Sequence, residues 1–133
     1  MSWNNYGLDR KAQQLVLTAK QRDTDSLNQA FKMREAVAYG LERFWGEHLR
    51  LQGKNQKDQA KSDYWLETWD TLVEIMGKAQ IEIPSDRVDN NNTESVQAMA
   101  EKLWALEIET QRIALAVLTQ LCDCLVWWTQ RYK

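Results

Sequence analysis

A chain of 133 residues with five Gly, one Pro and 44% hydrophobic residues is long enough for one domain with a substantial core. It is too poor in turn residues for a many-stranded sandwich or barrel. The formal net charge of −2 excludes the strongly basic character of a general nucleic-acid or membrane-surface binder, although the charge is unevenly spread. Residues 1–62 hold 11 basic and 7 acidic side chains, residues 63–109 hold 3 and 11, and residues 110–133 hold 3 and 1.

Residues 1–7 are polar and aromatic, and Trp3 and Tyr6 suit a short arm that docks by its rings. No charged stretch followed by an apolar run occurs there, so neither a signal peptide nor a membrane span is expected. A cytoplasmic address follows by default. The first helix is predicted over 8–22, where Leu8, Ala12, Leu15, Val16 and Ala19 recur at three- and four-residue steps. Ser26 and Gln29 have the spacing of a capping box. A second helix is predicted over 26–52, its apolar stripe running from Leu27 to Leu49. Gly40 and Gly46 lie inside it, each costing about 1 kcal/mol of helix propensity, and mark either a close approach or a bend. Gly53 suits the left-handed position after the helix end.

Residues 53–61 read as a polar connection and 60–77 as a third helix faced by Trp65, Leu66, Trp69, Leu72, Val73 and Met76. Ile81 and Ile83 are expected to pin the following connection, and 85–92 is the clearest loop. Asn92 or Thr93 caps the last helix. Because 93–131 has neither Gly nor Pro, it is predicted as one continuous helix, roughly 58 Å long. Within it, 113–128 is apolar nearly all round and demands cover on more than one side. It is too short and interrupted to span a bilayer. The expected fold is all-α, a single-domain four-helix-type bundle with a long C-terminal helix.

Five constellations carry the functional reading. First, seven tryptophans are present, most of them suited to the core. Trp127 and Trp128 point about 100° apart, so at least one is expected at a rim. With Leu118, Leu125 and Val126 they form a candidate partner-binding face. Second, Lys20, Arg22, Lys32, Arg34, Arg43, Arg50, Lys54, Lys57 and Lys61 are candidate contacts to a nucleic-acid backbone, RNA or single-stranded DNA. Third, Asp63, Glu67, Asp70 and Glu74 form one acidic stripe, expected to be solvated or matched by a basic neighbour. Fourth, Cys122 and Cys124 point about 200° apart, cannot bridge one another, and suit a reducing compartment. With one histidine, a tetrahedral zinc site and a di-metal carboxylate site both lack ligands. No cofactor motif is present.

Fifth, the segment Arg43-Phe-Trp-Gly-Glu-His48 resembles the Arg-x(4–6)-His pattern of HEPN-type ribonucleases. That resemblance implies cleavage of RNA by Arg43 and His48 near a dimer interface. It covers six residues and departs from the family at Phe44, where a polar residue is usual. In size and class the chain is also similar to the small helical subunits that line the backbone in CRISPR-type effector complexes. The leading expectation is a non-enzymatic helical subunit of a larger assembly, one that contains nucleic acid. The alternatives are a homodimeric adaptor without nucleic acid and the HEPN-like ribonuclease.

Overall fold

In the computed structural model, residues 7–133 are described. Among them lie six α-helices and no strand, an all-α arrangement in which the last helix packs on the others. The arm at Trp3 and Tyr6 lies outside the described residues. Helix α1, Leu8–Arg22, buries the predicted stripe of Leu8, Ala12, Leu15, Val16 and Ala19. The capping box at Ser26 does not form. Ser26 belongs to a 3-10 turn, Thr24–Asn28, and its hydroxyl donates to the Asp23 carbonyl at 2.7 Å. Gln29 is drawn inward instead, and its carbonyl accepts from the Trp65 indole at 2.9 Å. The buried Trp65 indole N–H thereby has an acceptor.

The predicted helix 26–52 is two helices. Helix α2, Gln29–Ala36, tightens into a 3-10 turn, Val37–Tyr39, and α3, Leu41–Leu51, sets off anew. The break sits at Gly40, with φ 96° and ψ 175°, backbone territory open essentially to glycine alone. Helix α4, Gln56–Lys78, begins four residues before the predicted start. The Asn55 side chain accepts from the Asp58 amide at 2.8 Å, so a side-chain cap turns a polar connection into a first turn. Gly53 takes φ 74° just past the end of α3. Ile83 is buried and Ile81 partly so, and they hold the connection down.

The predicted helix 93–131 also divides, into α5, Thr93–Trp104, and α6, Ile108–Tyr132. Asn92 caps α5 by accepting from the Ser95 amide at 3.1 Å. Glu107, with φ −56° and ψ 145°, leaves helical space and turns the chain. Helix α6 packs on α1, α2 and α4, while α3 packs on α4 and touches α5. The core face of α6 is Ala114, Val117, Leu118, Leu121, Cys122, Leu125 and Thr129. It meets Leu8, Val16, Met33, Trp45, Trp65, Trp69 and Ile75 from the other helices in one apolar cluster. By length and composition, Ile108–Tyr132 is apolar enough to cross a membrane. Here it is laid against three helices, with part of its apolar surface uncovered.

Candidate functional site

The basic residues singled out in the sequence do not form one open face. Arg22 is held by Glu67 at 2.6 Å and lies 3.9 Å from Asp63. Arg34 donates to Asp123 of α6 at 2.6 Å. Arg50 pairs with Glu47, Lys57 with Asp25, and Lys61 with Asp58. Arg43 lies over the Tyr39 ring at 5.6 Å. Lys32 and Lys54 are exposed and have no ion-pair partner among the described residues. Much of the positive half of the chain is therefore already matched by the chain's own carboxylates. The acidic stripe is the other half of that bookkeeping: Arg22 takes Asp63 and Glu67, Arg87 takes Asp70 in a two-pronged contact at 2.7 and 3.0 Å, and Lys11 takes Glu74 at 2.7 Å. The stripe is matched by basic neighbours, one of the two outcomes expected from sequence.

His48 is 3% exposed. Its Nδ1 lies 2.5 Å from the Trp45 carbonyl, and the Trp45 ring meets it edge-on at 5.5 Å. Burial pushes its pKa below the ordinary value, so the neutral ring is favoured. Arg43 faces Tyr39 at the surface. In the HEPN-like segment the arginine is thus exposed and the histidine buried. The two cysteines are free thiols. Burial raises both, Cys124 to about 11, so neither is an activated nucleophile.

The partner face also needs correction. Leu118 and Leu125 are fully buried in the chain's own core, because α1, α2 and α4 together cover a wider arc of α6 than one seam. Val126 is partly buried against that core, and Trp128 likewise. Only Trp127, at 56% exposure, projects. Around it lies the one place where both predicted sets converge. Arg131 sits over the rings of Trp127 and Trp128 at 5.7 and 5.5 Å. Tyr132 stacks on Trp128 with centroids 5.8 Å apart. Lys20, from the predicted basic set, lies 5.9 Å over Tyr132 and donates to its carbonyl at 2.9 Å. Lys133 covers Phe31 at 5.5 Å. These three cations touch rings and a carbonyl and, among the described residues, no carboxylate. A cation near a helix C-terminus is favoured by the dipole, and each ring contact is worth about 0.5–1 kcal/mol at an exposed site. The charge is held in place without being neutralised.

A second exposed cluster, missed in the sequence, lies at the other end of α6. Trp104 is 62% exposed and Ile108 is 73% exposed. They flank the α5–α6 joint, with Glu101, Glu107 and Glu109 exposed around them. Trp104 and Ile108 stand four residues apart, on one face of a continuous helix, and that continuity hides the joint between them. Beside it runs a groove of about 500 Å³, lined by apolar Val73, Ile81, Ile83, Pro84 and Leu106 and by charged Glu82, Asp86 and Lys102. At 1.5 Å per residue, Ile108 and Trp127 stand about 28 Å apart along α6. No family model, no curated protein and no solved structure matches this chain.

Proposed function

We propose that this chain is a non-enzymatic helical subunit of a larger assembly, docking through the surfaces at the two ends of α6. The observation that carries the reading is the exposure of Trp104, Ile108 and Trp127 on and beside one long apolar helix. Large exposed aromatics with charged rims are what anchor interfaces. The free thiols suit a reducing, cytoplasmic setting. Size-exclusion of an extract from the native host, followed by antibody against the chain, tests it. The chain is expected well above its own mass; elution as a lone chain would contradict the proposal.

A second reading is favoured by a specific observation. Lys20, Arg131 and Lys133 lie beside aromatic rings and enter no ion pair among the described residues. A cationic aromatic platform suits single-stranded RNA or DNA, and would place a nucleoprotein contact at the end of α6 instead of along the first two helices. Three phosphate contacts give a log–log salt slope of about −2 on a single strand. A titration with a fluorescent oligonucleotide at rising salt tests this; no binding at low salt removes it.

A further inference from the structure

The two ends of α6 differ in charge and in shape. The C-terminal end is a knob: Trp127 projects, and Arg131 and Lys133 lie over aromatic rings and enter no ion pair among the described residues. The joint end is a groove with apolar walls, Leu106 of the joint itself among them, and with Glu82, Asp86 and Lys102 as its charged lining. Glu82, Glu101 and Glu107 are exposed and enter no ion pair among the described residues, whereas Asp86 is already taken by Lys102. An acid-lipped groove repels phosphate and accepts a cation-flanked apolar side chain. The chain carries such a side chain on its own opposite end.

From this complementarity we infer that the chain binds a second copy of itself head to tail. Trp127 of one copy seats in the groove beside Leu106 of the next, and Arg131 and Lys133 face Glu82 and Glu107 across the contact. The inference rests on the assembly reading above and names the partner. The contact is heterologous, since knob and groove are different surfaces. After each docking event one knob and one groove stay open, so association continues into chains or closes into a ring. A two-fold dimer would use one patch twice and stop. Opposite charges at the rim make the contact weaken with salt.

The test uses the full chain in sedimentation velocity with two variants. The knob variant is Trp127→Ala with Arg131→Ala. The groove variant is Glu82→Lys with Glu107→Lys. All four positions are exposed, and circular dichroism checks that each variant folds. The wild type is expected to grow beyond a dimer with rising concentration, less so at high salt. Each variant alone is expected to associate about tenfold or more weakly, as loss of an anchor does. An equal mixture of the two variants is expected to form dimers and nothing larger, because one intact groove meets one intact knob. Wild type that stays monomeric at about 1 mM, where even weak contacts populate, overturns the inference. So does wild type that associates while the mixture does not, which would mark a two-fold contact elsewhere. Retention of the knob variant in the native assembly would remove this contact and leave the assembly reading standing. A lone chain in the host removes the reading itself.

Discussion

Leu125 and Trp127 stand two residues apart in the most apolar stretch of the sequence, and the fold treats them oppositely. Leu125 is fully buried. Leu125→Ala removes only the outer carbons of an isobutyl group, yet the lost burial and the cavity left behind cost about 2–5 kcal/mol. Trp127→Ala removes a whole indole, but one that is 56% exposed. What it gives up is partial burial and the Arg131 contact, about 1.5 kcal/mol. For 133 residues, an unfolding entropy of about 2.1 cal/mol/K per residue sums to about 280 cal/mol/K, so each kcal/mol moves Tm by about 3.6 °C. Leu125→Ala is expected to lower Tm by about 7–18 °C and Trp127→Ala by about 5 °C. Thermal melts followed by circular dichroism at low micromolar concentration give both values without a contribution from self-association. The smaller truncation must cost more. If Trp127→Ala is the more damaging, the division of α6 into a core side and a docking side is wrong.

The remaining predictions test the breaks, the histidine and the thiols. Gly40→Ala is expected to destabilise by about 1–3 kcal/mol, because Ala cannot easily hold φ 96° with ψ 175°. In a continuous helix the same change would stabilise by about 1 kcal/mol, so the sign of the shift in a urea titration decides between the two. His48 is lowered from 6.5 chiefly by burial. Below pH 6.5 the unfolded chain takes up a proton that the folded chain refuses, so stability falls from there down to the lowered folded value and then levels off. Urea midpoints measured across that window should fall for the wild type and flatten for His48→Gln; parallel curves would contradict the buried neutral ring. Cys122 and Cys124 should react slowly with a thiol reagent at neutral pH, with Cys124 ahead of the more buried Cys122, and both quickly in denaturant. Fast labelling of Cys122 in the folded chain would refute its place in the core.

What could be read from the sequence followed from periodicity. The stripe of α1 and the loop before α5 stand where the local pattern puts them; the face of α4 is displaced, with Trp65, Trp69, Leu72 and Met76 buried as expected but Tyr64, Thr68 and Ile75 buried in place of Leu66. Other features depended on residues distant in sequence. Arg22 meets Glu67 and Arg34 meets Asp123 across 45 and 89 positions, so no local count could tell that those cations are spent. Gly40 marks its break in the sequence, since glycine is tolerated in helices but required at positive φ. The break at 105–107 had no such marker, because Ala105, Leu106 and Glu107 are all good helix formers. Tertiary packing of Leu106 against the groove accompanies that turn. It is also what exposes Trp104 and Ile108. Of the tryptophans, Trp45, Trp65 and Trp69 fill the core and Trp104 and Trp127 do not. That division depends on which arc of each helix is covered, which spacing alone does not say.

The most direct test of docking through the ends of α6 is native mass spectrometry on the chain recovered from its own host, wild type beside Trp127→Ala/Arg131→Ala. The account predicts wild type in a complex heavier than one chain, and the variant released as a lone folded chain. Wild type recovered as a single chain would contradict it, and a variant retained at the full mass of the complex would contradict docking through the Trp127 end.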